Sequence, residues 1–328
     1  MRQIPVPGYF TIITTTVLAA LVLLVSQTDV RAAESATLAQ IKQDGQIRIG
    51  MYLSFEGLSF KEKGKLTGLE VALADILAEE LSKDLGQTVK PVIVDQEWSQ
   101  IIKVLRDGKY DVVFSAVIPS PMYAHYNVRY SRPYLDTGPV VCCREMDGKP
   151  VKDVTAEAGS LADKKVVVIN DPAVRRVMRR AGIYVPADEG KTDIERTFPK
   201  SETEAEMNRA GKAVPLIAVK EILQIDEMPV IYKMIADGEV DAGVIDLGII
   251  WWVANDSKRW SKKIHAFSQP IGPYIYSAVT RAEDEDLGNL MDKAVERMLK
   301  NPKYADTCKQ WHGTEIFSWG LTADDFMK

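Results

Sequence analysis

The chain has 328 residues, 46% of them hydrophobic and 27% charged, and a net charge of −5. That length exceeds one comfortable core and suits two lobes, and the composition is that of an ordinary globular protein. No lysine and arginine block dominates any segment, which argues against nucleic acid as a partner.

The first element in chain order is a leader. Arg2 precedes the apolar run FTIITTTVLAALVLLV, from Phe10 to Val25, and the small residues of VRAAESA follow it. A positive start, an apolar stretch and small residues at its end are the parts of a secretory signal. Residues 1–33 are therefore read as a signal peptide, cut after Ala32 or Ala33. An uncleaved anchor is the alternative, although the run is short for a span of about 20 residues. Disulfides persist in an exported chain, and this one has three cysteines, Cys142, Cys143 and Cys308. Neighbours on a strand point to opposite faces, so either Cys142 or Cys143 is a candidate to pair with Cys308 and leave the other buried. The histidines, His125, His265 and His312, lie far apart, and no metal spacing or cofactor motif is visible.

From residue 46 short strands alternate with amphipathic helices. IRIGM is a strand, and GLEVALADILAEELSKDLG places Leu69, Leu73, Ile76, Leu77 and Leu81 on one helical face, with Gly86 as a C-cap. VIVD is a strand, WSQIIKVLRDG a short helix and YDVVFSAV a strand. This rhythm predicts a mostly parallel sheet covered by helices. It restarts at KKVVVIN, followed by a helix from Pro172 to Arg180, with proline well placed in the first turn. VLRDGKYDVVFSAV and MIADGEVDAGVIDL then share a helix end, Asp-Gly, two residues, Asp and an apolar strand. Asp107-Gly108 and Asp237-Gly238 are the matching turns, so two lobes of similar build are expected. In such sheets ligands sit beyond the carboxyl ends of the strands. Two lobes facing each other there would form a cleft, with the segment from Ser115 to Tyr134 as one wall.

At these motifs the chain resembles the family 3 solute-binding proteins, periplasmic amino-acid receptors of ABC importers. IRIGMYLSFEGLSFKEKGKLTGLEVALADILAEEL is similar to the family's opening strand, aromatic loop and G-K-L-T-G-[FL]-[DE]-V-x-L-A helix. WSQIIKVLRDGKYDVVFS resembles its L-x-x-G-K-Y-D element, and YSRPYLDTGPVV resembles F-S-x-P-Y-x-x-[ST]-G. DGEVDAGVID and NPKYADTCKQWHG resemble its second-lobe strand and closing helix. The resemblance implies an α/β protein with the two-lobed periplasmic-binding-protein fold (type II), its two crossover strands forming a hinge. Lobe one would comprise 37–140 and 270–328 and lobe two 141–269, with an insertion around 184–216 that the family pattern does not place. The crossings are expected near Gly138 to Glu145 and Gln269 to Tyr276. The mature protein would be a periplasmic monomer that needs no cofactor or metal.

Family receptors grip an α-carboxylate with the arginine of a T-P-E-R motif, because a planar guanidinium matches a carboxylate bidentately. Here that motif reads Ser120-Pro121-Met122-Tyr123, with Tyr123 at the arginine's place. Arg129 falls near a strand end, out of position to replace it. Ile118 stands where a threonine usually meets the carboxylate, and Ala116 replaces a glycine. In lobe two the helix start G-T-[ST] reads Asp171-Pro172-Ala173, although that family loop offers N–H groups to an anion. All these changes disfavour an α-carboxylate. Asp246 still matches the aspartate that receives the ligand's ammonium, Phe55 the stacking aromatic, and Tyr52 a selecting position. The candidate ligand-binding residues are thus Tyr52, Phe55, Ala116, Ile118, Ser120, Tyr123, Asp171 and Asp246, suited to a cationic or amine-bearing apolar ligand.

Plainer roles stay open for each residue. Phe55, Tyr52 and Tyr123 could fill space, Asp171 and Asp246 could cap helices, at least one of Trp251 and Trp252 belongs to the core, and His125 reads as a loop residue. The leading function is non-enzymatic capture of a small-molecule solute for the membrane subunits of an ABC importer. An accessory binding protein of a periplasmic quinoprotein dehydrogenase is the alternative. A cyclohexadienyl dehydratase-like enzyme is a remote one, since those enzymes also hold the substrate carboxylate with arginine.

Overall fold

The computed structural model describes residues 34–151, 153–192, 197–313 and 318–327. The signal-peptide reading of residues 1–33 lies outside them. Ser35 caps helix α1 (Ala36–Asp44) by accepting the Leu38 N–H at 3.1 Å. Strand β1 (Gln46–Met51) leads through a small antiparallel ribbon into helix α2 (Leu69–Leu85). Leu69, Leu73, Ile76, Leu77 and Leu81 are all buried, as their helical spacing requires, and Gly86 ends the helix in the left-handed conformation. Strand β2 (Lys90–Asp95), helix α3 (Ile101–Arg106) and strand β3 (Val112–Val113) complete the parallel half of the first sheet, in the order β2-β1-β3. Strand β4 (Val128–Thr137) belongs to the same sheet.

After Gly138 the chain changes lobe. Strand β5 (Pro139–Met146) lies in the second sheet, followed by β6 (Lys165–Ile169), helix α4 (Pro172–Arg180), helix α5 (Lys200–Arg209), β7 (Glu221–Ile225), helix α6 (Met228–Asp237), β8 (Ala242–Asp246), helix α7 (Leu247–Asn255) and β9 (Ile264–Pro270). Strand β10 (Tyr274–Arg281) returns to the first sheet. The two sheets read β2-β1-β3-β10-β4 and β7-β6-β8-β5-β9, so each has three parallel strands and then two antiparallel ones. Helix α8 (Glu285–Lys300) packs on α2 and β4, while α9 (Pro302–His312) touches both α2 and α7. Val166, Val167 and Val168 of central β6 are all buried, which is why that strand is a continuous apolar run.

The repeated Asp-Gly-x-x-Asp has a physical explanation. Gly108 and Gly238 both adopt positive φ, +78° and +75°, where the chain turns out of α3 and α6. The second aspartate of each repeat then makes the same two bonds to the neighbouring strand. The Asp111 carboxylate accepts the Arg48 N–H at 2.8 Å, and the Asp111 N–H donates to the Arg48 carbonyl at 2.9 Å. Asp241 does likewise with Lys165, at 2.7 and 2.9 Å.

The insertion has its own anchor. Ile183–Tyr184 pairs with Ile217–Ala218, and α5 packs on α4. Buried Glu206 of α5 accepts from Arg176 at 2.8 Å, Arg180 at 2.7 Å and Arg209 at 2.8 Å. Burial opposes its ionisation, but the three guanidinium bonds win and hold its carboxyl below the ordinary range. No disulfide forms: Cys142, Cys143 and Cys308 are each buried and free, the first two on β5 of lobe two and the third on α9. Among the described residues no helix is long and apolar enough to cross a membrane.

The hinge is a backbone contact. The Ile271 N–H donates to the Pro139 carbonyl at 2.8 Å, which ties the two crossings together. A Cβ on Gly138 would lie 2.3 Å from the Gly272 carbonyl oxygen and 2.7 Å from Pro270 Cβ, so a side chain there pushes the crossings apart. Gly138→Ala is expected to destabilise the protein by about 1–3 kcal/mol in a urea titration. Gly159→Ala, with nothing within 4 Å of its added methyl, serves as the control. Equal midpoints for the two variants would refute the tight-hinge account.

Candidate functional site

The residues of the cleft follow the carboxyl ends of the parallel strands. Tyr52 comes after β1, Ala116 and Ile118 after β3, Asp171 after β6, and Asp246 ends β8. They border two adjoining cavities that share Trp98 and Asp171. The inner cavity holds about 30 Å³ and is bordered by Phe55, Ala116, Ile118, Asp171, Asp246 and Tyr276. The outer one holds about 380 Å³, within the range of small-molecule sites, and Tyr52, Tyr123 and His125 border it. Seven of the eight residues singled out from the sequence therefore meet at the cleft. The exception is Ser120, which borders neither cavity; its hydroxyl accepts the Met122 N–H at 3.4 Å and caps a short turn. Arg129 is turned away, bound to Asp292 at 2.7 Å. Trp251 and Trp252 are half-buried and pack against the main core.

Three carboxyl groups are buried at the cleft: Asp171 and Asp246 border the inner cavity, and Glu70 lies behind Ala116. Glu70, on α2, accepts the Ala116 N–H at 2.6 Å and the Tyr134 hydroxyl. Ala116 has a φ of +50°, a conformation that favours glycine. Desolvation pushes the Glu70 carboxyl up to about 7, although the bonds from Tyr134 and Ala116 oppose that rise. Asp171 caps α4 by accepting the Ala173 N–H at 2.6 Å. Burial raises its pKa too, against that bond and the nearby Arg175 charge. Asp246 accepts from the Thr137 hydroxyl at 2.9 Å, and burial moves it up to about 6. The Tyr276 hydroxyl lies close enough to ease the Asp246 charge, yet it lacks the geometry of a hydrogen bond.

The outer cavity is aromatic on its walls and acidic at its mouth. Tyr52, Trp98, Tyr123 and Tyr126 contribute rings, and Glu97, Asp226 and Glu227 are exposed carboxylates. Of its cations, Lys103 is paired with Asp107 at 2.8 Å, and Arg175 bonds Asn170 at 2.9 Å and Gln224 at 2.8 Å. Glu70, Trp98 and Arg175 were not singled out from the sequence. Trp98 had a usable signal, since it opens the segment just past the carboxyl end of β2. Among the described residues no group of three or more His, Cys, Asp or Glu side chains is placed to hold a metal ion.

The Glu70 environment generates a pH prediction. Its carboxyl is raised in the fold, so the folded state binds the proton more readily and gains stability as pH falls from about 7 towards 4.5. Glu70→Gln keeps an acceptor for Ala116 and Tyr134 and removes the charge. At pH 8 it is expected to stabilise the protein by roughly 1–3 kcal/mol, with the gain shrinking by pH 5. Urea midpoints of both proteins at the two pH values measure this, and a pH-independent difference would contradict it.

A family model described as bacterial extracellular solute-binding proteins, family 3, matches residues 47–314. Among solved structures, a mutant of ArgBP from T. maritima is similar at 22% identity and a TM-score of 0.56, covering 85% of this chain and 100% of its own. Tv2483 bound to L-arginine is similar at 18% identity and a TM-score of 0.59, covering 88% and 99%. An ancestral amino-acid-binding protein, AncCDT-1, described as a precursor of cyclohexadienyl dehydratase, is similar at 20% identity and a TM-score of 0.56, covering 85% and 100%. At these identities the structural neighbours establish the two-lobed fold. With the family model spanning most of its length, the chain belongs to the family 3 bacterial extracellular solute-binding proteins.

Proposed function

We propose that this protein is a periplasmic receptor that captures a small solute without an α-carboxylate in the interlobe cleft and hands it to an ABC importer. It acts as a monomer and catalyses no reaction. One observation carries the reading: the N–H donors that would greet a ligand anion already serve the protein's own carboxylates. The Ala116 N–H goes to Glu70 at 2.6 Å and the Ala173 N–H to Asp171 at 2.6 Å. Tyr123 brings no charge to its side of the cleft, and Ile118 brings none to the inner cavity. An α-carboxylate entering the inner cavity would lose its water and face Asp171 and Asp246, with no lysine or arginine among the described residues bordering that cavity. The arginine bound by Tv2483 carries such a carboxylate. Asp246, by contrast, borders the inner cavity with the neutral Thr137 hydroxyl as its donor, so an entering ammonium would bring it a positive charge.

A thermal-shift screen against α-amino acids, the matching amines without a carboxylate, and neutral aromatics tests this. A ligand at a hundred times its dissociation constant adds about 2.7 kcal/mol of stability, a shift that is plain in such a screen. Amines are expected to stabilise the wild-type protein, and Asp246→Asn is expected to abolish the effect. Stabilisation by ordinary α-amino acids would sink the reading, and silence across a broad solute library would remove the receptor role itself.

A further inference from the structure

We propose that the solute is an elongated diamine, with one ammonium in the inner cavity and the other among the carboxylates at the mouth of the outer one. This rests on the receptor reading above and goes beyond it by assigning a second charged end and a shape.

The inner end is sized for one group. About 30 Å³ holds a single water-sized group, which an –NH₃⁺ matches and a trimethylammonium does not. An ammonium has three donors, and three oxygen-bearing groups border the space: the carboxylates of Asp246 and Asp171 and the hydroxyl of Tyr276. That hydroxyl is fully buried beside the Asp246 carboxylate and makes no hydrogen bond of ordinary geometry. One ammonium satisfies the orphan hydroxyl and the buried carboxylates together.

The outer end points to a second cation. Glu97 comes from lobe one, while Asp226 and Glu227 come from lobe two. None of the three is in an ion pair among the described residues, and all border the same cavity. Glu97 and Glu227, from opposite lobes, border the same cavity as Tyr52. Four carboxylates, counting Asp171, face two cations: Lys103 is paired with Asp107, and Arg175 bonds the neutral side chains of Asn170 and Gln224 while its charge acts on Asp171. Between the two ends run Trp98, shared by both cavities, and the rings of Tyr52 and Tyr123. That track suits methylene groups and cation–π contact. A charge at each end and an apolar middle describe an α,ω-diamine.

Calorimetry on the purified protein tests the proposal with 1,4-diaminobutane, 1,5-diaminopentane, n-butylamine, the bis(trimethylammonium) analogue of 1,4-diaminobutane, and 1,4-butanediol. One of the diamines is expected to bind roughly 10–100-fold more tightly than n-butylamine, an advantage that salt erodes. The bis-quaternary analogue and the diol are expected to bind roughly 100-fold more weakly than that diamine, because neither fills and neutralises the inner cavity. Glu97→Gln combined with Glu227→Gln, both at exposed positions, should bring the diamine to within about threefold of n-butylamine. Unchanged unliganded melting of that double variant excludes misfolding as the cause. If n-butylamine binds as tightly as both diamines, the second ammonium site is refuted and the receptor reading stands. If a neutral solute binds while both diamines are silent, the diamine assignment is likewise refuted and the receptor survives. If no solute of any class binds, both fall.

Discussion

A carboxylate taken out of water has to be given donors, and three are buried here, Asp171 and Asp246 bordering the inner cavity and Glu70 behind Ala116. Desolvation of each costs several kcal/mol unless hydrogen bonds or a cation offset it. Glu70 takes its share from Ala116 and Tyr134, and Asp171 from the first turn of α4. Those two arrangements consume N–H groups that face the ligand position. The inner cavity is bordered by two carboxylates and, among the described residues, by no lysine or arginine, and the proposed preference for a cation rests on that arrangement.

The same electrostatics bear on lobe closure. Each lobe contributes carboxylates to one cleft, so closing without a ligand brings like charges together. At 4 Å, a unit pair in surroundings of effective dielectric constant near 20 is worth about 4 kcal/mol, and exposed rim groups feel much less than that. A bound cation reverses the sign of the interaction for both lobes at once. Its binding and closure are then coupled through charge, without any direct contact between the lobes being required. The hinge supplies the geometric side of the coupling. Gly138 and Gly272 pass so closely that the crossings move as one, held by the Ile271 N–H on the Pro139 carbonyl. The tail after α9 adds a second clasp, with the Trp319 indole N–H donating to the Thr137 carbonyl at 2.7 Å, one residue before the crossing.

Legibility in the sequence followed the range of the interaction involved. The Asp-Gly-x-x-Asp repeat was readable because one local geometry, a left-handed turn followed by an aspartate bound to the next strand, recurs at Asp111 and Asp241. Asp171 before Pro172 was readable as a cap for the same reason. The α2 stripe was readable because helical spacing alone decides which leucines are buried. Trp98 and Arg175 escaped because their roles depend on which surface lobe two presents to lobe one, a fact spread over both crossings. Ser120 misled for a related reason: its motif position implied the cleft, but Pro121 starts a tight turn that redirects its hydroxyl to Met122. The cysteines were ambiguous because pairing requires β5 and α9 to meet, and they belong to different lobes.

The insertion shows what a lobe can gain without altering its cleft. Glu206 sits among three arginines, and two of them, Arg176 and Arg180, belong to α4, the helix that Asp171 caps. One end of α4 is thus fixed to the insertion while its other end carries the cleft. Removing one partner of such a buried cluster strands the remaining charges and is costly, so the insertion and α4 behave as one rigid body. Rigidity matters here because Asp171 borders both cavities, and its carboxylate position is set by the first turn of that helix. The insertion needs no contact with the solute to influence its binding. Its contacts with Arg176 and Arg180 bear on α4, whose first turn holds the Asp171 carboxylate at the cleft.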